Sequence, residues 1–178
     1  VMNDQRQVIF SQRLKILKNK NIEVVLEDFL NEVLSKLEEA RSIYQKSNDE
    51  KSYLTSIKNT TGNSVADKEL ISMASLDVEK FANKIKNLYL SKKKERIDII
   101  GSKENNDLEK RIFLQIIDFA WRSHLQYLEQ LRQVIGLRSY GQKDPLSEFK
   151  KEAFTLFEGL LEKIKNDVIK FLLNLNIV

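Results

Sequence analysis

The amino-acid sequence predicts an all-α protein made of a few long helices. Only five glycines and one proline occur in 178 residues, so few turns are expected. Apolar residues recur at steps of three or four along most of the chain, which is the period of a helix buried on one face. No segment shows the apolar–polar alternation of a half-buried strand.

The first part of the chain predicts two helices with a break between them. Residues 1 to about 20 have loosely helical apolar spacing, and Asn19–Asn21 is the expected break. From Ile22 to Tyr44 the apolar residues define one face of an amphipathic helix of about six turns. We interpret the opposite, acidic face as exposed to solvent.

The middle of the chain is expected to be less regular. Residues 46–64 are polar and predict a long loop, with no more than a helical turn at Tyr53–Ile57. A short helix is expected from Val65 to about Ser75. Asp77 can then cap a longer helix, because an aspartate oxygen accepts hydrogen bonds from the first free amides.

A basic run, Lys92–Arg96, is expected at the end of that longer helix, before a break at Gly101–Asn106. Five residues with four cationic side chains could bind phosphate. At a helix C-terminus such a run also complements the helix dipole and faces water, and we favour this second interpretation.

The last third predicts an antiparallel helix hairpin, since two apolar stripes at helical spacing flank a short connection. Each arm has close to 30 residues, or roughly 45 Å. The stripe of the first arm comprises Phe113, Ile117, Trp121, His124, Leu128, Leu131 and Ile135. That of the second comprises Phe149, Ala153, Leu156, Leu160, Ile164, Val168, Phe171 and Leu175. A further apolar line suggests packing against the N-terminal helix: Phe154, Phe157, Leu161 and Leu172.

Turn-forming residues mark the tip of this hairpin. Gly136 and Gly141 are expected to relax the end of the first arm. Asp144 is a natural N-cap, and Pro145 suits the first position of the second arm. Tyr140 then lies at the point of the hairpin, either exposed or packed back onto the loop.

Composition excludes several kinds of chemistry. The chain has no cysteine and a single histidine, His124, which cannot form a zinc or di-iron site alone. His124 lies on the apolar stripe between Trp121 and Leu128, so we interpret it as a hydrogen-bonded packing residue. No phosphate-binding glycine motif occurs. We therefore assign no catalytic residue and no metal ligand, and do not expect this polypeptide to be an enzyme by itself.

Charge and hydropathy leave the partner open. The net charge of +4 permits contact with anionic lipid or nucleic acid without requiring either. No apolar run approaches the roughly 18 to 20 residues of a membrane-spanning helix, and no signal-peptide pattern opens the chain. Because the sequence starts inside a helical pattern, we expect a piece of a longer protein.

Four segments of the last third resemble the two-helix finger of the SecA family, the ATP-driven motors of bacterial protein export: Trp121–Leu125, Leu131–Gln133, Leu137–Pro145 and Glu148–Phe154. Residues Val1–Arg13 are similar to the later part of the long scaffold helix of the same family. The matches follow the order of the family and cover roughly half of the chain.

The resemblance implies three segments. Residues 1–37 would be the end of the long scaffold helix with the following helix, 38–105 the helical wing, and 106–178 the finger returning to the scaffold. The finger would enter the cytoplasmic mouth of a SecY-type channel, where Tyr140 would contact the preprotein. The channel-facing tip would comprise Arg138, Ser139, Gly141, Gln142 and Lys143. The residues that shape the hairpin would be Gly136, Asp144, Pro145, Trp121 and His124.

The resemblance also assigns cofactors and partners to the parent motor. ATP and magnesium would bind its nucleotide-binding domains, and this chain would hold no cofactor. From Arg132 to Lys151, five cationic and two anionic side chains leave +3, which suits an anionic membrane surface on the cytoplasmic face. We expect a cytoplasmic protein, peripheral on the inner membrane, with no specific nucleic-acid partner.

The sequence departs from the family pattern at three positions. Val134 and Ser139 stand where glycine is usual in the family, so the loop should be stiffer. Ser123 stands where an acidic residue is usual.

Two other functions compete with a motor role. A basic helical module could bind nucleic acid through Lys92–Arg96 and the tip lysines, with a strong dependence on salt. Alternatively, the hairpin could be a plain scaffold or oligomerisation coiled coil. In that case another stable turn could replace the tip without loss of function.

Overall fold

The computed structural model describes residues 2–19, 22–138 and 144–177. These residues form seven helices and no strand, which confirms the all-α fold class. The helices are α1 (Met2–Lys18), α2 (Glu23–Ser47), α3 (Glu50–Thr61), α4 (Asp67–Met73), α5 (Val78–Ile100), α6 (Ser102–Arg138) and α7 (Pro145–Asn174). Within the described residues, none of these helices is both long and apolar enough to cross a membrane.

The chain divides into two compact units, each drawn from separate parts of the sequence. Unit 1 comprises Val1–Lys20 and Lys110–Ile164. Unit 2 comprises Asn21–Glu109 and Lys165–Val178. Helices α6 and α7 therefore contribute residues to both units. The three functional segments implied by the resemblance stay a prediction.

Unit 1 contains the predicted hairpin. All seven residues of the apolar stripe on α6 are buried. Leu128, Leu131 and Ile135 form a buried cluster with Ala153 of α7, against which Phe149 and Leu156 also pack. Because residues later on α6 contact residues earlier on α7, the two arms run antiparallel.

Helix α1 packs on both arms, as the surplus of apolar residues predicts. Gln5 donates to the backbone of α7, and the Arg13 guanidinium lies 2.8 Å from the Asp118 carboxylate of α6. Ile9 and Ile16, seven residues apart, give α1 its buried apolar contacts.

The predicted stripe on α7 is correct in its first part and wrong near its end. Phe171 is 47% exposed, whereas Leu172 and Leu173 are fully buried. Phe154, predicted on a second buried line, is 62% exposed. The buried face shifts because α7 packs in unit 1 up to Ile164 and in unit 2 beyond it.

The prediction of a loop over residues 46–64 is wrong, because a full helix, α3, occupies most of it. The Asp49 side chain caps α3 by accepting from the Ser52 amide at 3.1 Å. Tyr53 and Ile57, one turn apart, are buried in unit 2. Burial of these side chains and the cap stabilise a helix that the polar composition obscures.

The start of α5 agrees with the prediction, but its end and the break after it do not. Asp77 caps its start as expected, accepting from the Lys80 amide at 2.8 Å. The helix does not end in the basic run, however, but continues to Ile100. The break expected from Gly101 to Asn106 shrinks to Gly101, because its φ of +88° turns the chain at one residue and α6 starts at once.

Candidate functional site

The hairpin formed by α6 and α7 is the candidate functional site. Helix α6 ends at Arg138, and α7 begins at Pro145. Five predicted tip residues lie outside the described residues: Ser139, Tyr140, Gly141, Gln142 and Lys143. The described structure therefore defines the two helix ends that hold the tip.

Asp144 anchors the start of the second arm. Its carboxylate accepts from the Leu146 amide at 3.1 Å and from the Ser147 hydroxyl at 2.9 Å. These hydrogen bonds, led by the one from Ser147, lower the pKa of the Asp144 carboxyl below its usual value. Pro145 occupies the first helical position, where its missing N–H costs nothing. The predicted N-cap is thus observed.

The first arm does not loosen at Gly136. Helix α6 continues through this residue for two more positions, to Arg138. A single glycine inside a helix costs about 1 kcal/mol relative to alanine, which the packing of a 37-residue helix can offset. The expected relaxation of the helix at Gly136 is therefore wrong.

His124 belongs to unit 1 and is buried. Its ring centroid is 5.6 Å from that of Trp121 and 5.8 Å from that of Phe157. Its Nε2 atom is 2.8 Å from Oε1 of Gln5. Burial lowers the pKa of the imidazole, which favours the neutral ring. Trp121 and His124 are thus buried on α6 in contact with each other.

Gln5 is a site residue that the sequence did not reveal. It is only 6% exposed and donates from Nε2 to the Ala153 carbonyl at 3.1 Å. The sequence signal that could have revealed Gln5 is its position in series with Ile9 and Ile16, because these three are the buried residues of α1. A glutamine in that series is an amide in the core, which requires partners.

An open groove of about 840 Å³ lies along the hairpin. Its lining residues come from both arms: Tyr127, Gln130, Leu131, Val134, Glu148, Lys151, Glu152, Thr155 and Leu156. Apolar and charged side chains are mixed along it.

The basic run predicted to face water is partly turned into unit 2. Arg96 is 2% exposed, and Lys93 lies 3.5 Å from Glu23 and 3.8 Å from Glu109. Burial raises the pKa of the Glu109 carboxyl, and the nearby Lys93 and Arg96 charges oppose that rise. With Lys93 and Arg96 engaged internally, the run is a poor phosphate-binding patch.

Known proteins resemble this chain over its whole length. The family model described as SecA Wing and Scaffold domain matches residues 1–176. The protein translocase subunit SecA of Pelagibacter ubique is 47% identical over 178 residues, which are 100% of this chain and 21% of that protein. The subunit of the same name from Hyphomonas neptunium is 35% identical over 181 residues, covering 99% of this chain and 20% of its own length. The chain spans about a fifth of the length of these curated relatives.

Proposed function

This chain belongs to the SecA family, as its wing and scaffold part, and we propose that it is the lever of an ATP-driven protein-export motor. In this proposal the α6–α7 hairpin reaches the mouth of a SecY-type channel. The residues between Arg138 and Pro145 contact the polypeptide in transit, and Tyr140 is the principal contact.

The observation that best supports this role is that both helices continue up to the connection at the hairpin tip. Helix α6 runs unbroken to Arg138, and Asp144 caps α7 directly after the connection. A helical arm with a capped end transmits displacement with little local deformation. Tyrosine offers a broad apolar face and one hydroxyl at low rotamer cost, which suits contact with many different side chains.

ATP hydrolysis belongs, in the same proposal, to nucleotide-binding domains of the longer protein, where ATP and magnesium would bind. No residue of this chain is assigned to that reaction. The chain would act on a preprotein and a membrane channel, close to the anionic cytoplasmic surface of the membrane. The surplus of cationic side chains from Arg132 to Lys151 favours that location.

A site-specific crosslink tests the contact. The chain replaces the matching 178 residues of the Pelagibacter ubique relative, with a photoreactive amino acid at position 140 and a substrate polypeptide arrested midway. We expect a crosslink to the substrate that requires both ATP and the channel. The matched control carries the probe at Gln126, an exposed position on the same arm, and should not reach the substrate.

A crosslink from position 140 only to the hairpin itself would refute the contact role and make Tyr140 a structural residue. Substitution gives a second test. Tyr140→Ala should reduce transport far more than ATP hydrolysis, because the tip takes no part in hydrolysis. Equal losses in both activities would contradict the proposal.

A further inference from the structure

A short chain of hydrogen bonds joins the three helices of unit 1. The Gln5 amide of α1 bridges the His124 ring of α6 at 2.8 Å and the Ala153 carbonyl of α7 at 3.1 Å. Gln5 and His124 are each 6% exposed, and the rings of Trp121 and Phe157 lie beside His124. We call Gln5, His124 and the Ala153 carbonyl the polar clasp.

The donors and acceptors of the polar clasp can be arranged in only one way. A backbone carbonyl can only accept, so the Gln5 atom that faces Ala153 must be the Nε2 donor. Oε1 of Gln5 then faces His124 and accepts, so the ring must donate from Nε2. Both hydrogen bonds therefore form only when the Gln5 amide has this orientation and His124 carries a proton on Nε2.

The polar clasp fixes the position of α1 along the hairpin more tightly than the other contacts of α1 do. Ile9 and Ile16 could meet the same apolar surface after a shift of about one helical turn, because burial of aliphatic groups is not directional. Such a shift would leave the buried Gln5 and His124 groups unpaired, which is costly. The Arg13–Asp118 ion pair is 35% and 44% exposed and constrains the position of α1 less, because solvent screens it.

We infer that Gln5 and His124 are positioning residues, which fix the axial register of α1 against the hairpin. His124 lies 14 residues, about 21 Å, before the end of α6 at Arg138. With the register fixed, a displacement of α1 along its axis moves the hairpin by the same distance. The inference rests on the proposed lever function, because only a lever needs this transmission.

Register can be measured on the 178-residue chain. The sequence has no cysteine, so spin labels can be attached specifically at Ser11→Cys on α1 and Gln133→Cys on α6, two exposed positions of unit 1. The unsubstituted clasp should give one distance between the labels. In Gln5→Leu/His124→Phe, the apolar pair can pack in more than one register, and a second distance shifted by up to about 5 Å should appear.

The matched control is His124→Gln, whose amide nitrogen can replace Nε2 as the donor to Gln5. It should keep a single distance. Thermal unfolding of all variants checks that each is folded, and the double variant should remain so because it buries no unpaired polar group. A single, unshifted distance in Gln5→Leu/His124→Phe would overturn the inference.

Function supplies a separate readout. In the graft into the Pelagibacter ubique relative, the double variant should hydrolyse ATP but transport several-fold less polypeptide per ATP, whereas His124→Gln should keep the ratio of the unsubstituted graft. Failure of the unsubstituted graft to transport would count against the proposed function. Normal transport by the unsubstituted graft, with an equal ratio in the double variant, would count against the positioning role alone.

Discussion

Arg96 donates from Nε to Oδ1 of Asn105, 3.0 Å away, and both side chains are buried in unit 2. The same guanidinium donates from Nη1 to the Leu172 carbonyl at 3.1 Å, and Nη2 lies 3.9 Å from the Glu109 carboxylate. One side chain of α5 thus connects α6 with α7. These contacts explain why a residue from a basic run is buried.

Loss of Arg96 should destabilise unit 2 strongly. Arg96→Met keeps much of the apolar stem but leaves the Glu109 carboxylate buried with less compensation. Removal of one partner from a buried pair typically costs 3 kcal/mol or more, so we expect a loss of about 3 kcal/mol by denaturant unfolding. Lys94→Met, on the exposed face of the same helix, should change stability by less than about 0.5 kcal/mol. Similar effects of the two substitutions would contradict the structure.

Two buried tyrosines of unit 2 should respond differently to loss of the hydroxyl. Tyr53 donates to the Leu70 carbonyl at 2.7 Å, so Tyr53→Phe should cost about 1 kcal/mol. Among the described residues, the Tyr89 hydroxyl has no hydrogen-bond partner, so Tyr89→Phe should be neutral or stabilising. Parallel thermal unfolding compares them. Equal destabilisation would mean that the Tyr89 hydroxyl has a partner, such as an internal water.

Two glycines should respond in opposite directions to substitution by alanine. Gly62 has φ +57° and ψ −128°, and an added Cβ would lie 2.9 Å from the Asn174 amide. Gly62→Ala should therefore lose about 2 kcal/mol. Gly159 lies within α7, and a Cβ there would meet no atom within 4 Å. Gly159→Ala should gain up to about 1 kcal/mol, since alanine favours helix. Denaturant midpoints of both variants check the signs.

His124 should make unit 1 less stable in mild acid. Burial lowers the folded pKa of the imidazole below 6.5, its ordinary value. The unfolded chain then binds more protons than the folded one between those two pKa values, so stability falls as the pH drops below 6.5. The contribution is fully present above that value. Unfolding measured from neutral pH to about 5 should show a smaller decline in His124→Gln, and an identical decline would contradict this assignment.

The hairpin could be predicted because its signals are local. The stripe on α6 from Phe113 to Ile135 packs along its whole length, so helical spacing alone identifies the buried residues. Asp144 accepts from an amide of the turn that it caps, and Pro145 begins that turn. The assignment of Tyr140 as a contact came from family resemblance, since spacing alone left its role open.

Long-range polar contacts could not be predicted. Arg96 is buried by Asn105, Glu109 and the Leu172 carbonyl, and the last is 76 residues away in sequence. Gln5 likewise pairs with His124 across 119 residues. Periodicity within one helix reports which face is apolar, but it does not reveal which donor will meet which acceptor.

The hydrogen bond from Gln5 to Ala153 spans 148 residues, and this separation has a consequence for biosynthesis. At about 5–20 residues per second, a ribosome needs about 7–30 s to reach Ala153 after Gln5 has been made. Helices α2 to α5 can pair with one another during that interval, because they are neighbours in sequence. Gln5 of α1 lacks its partner on α7 until the second arm emerges. Among the helices of this chain, α1 is therefore the one that a chaperone should bind longest.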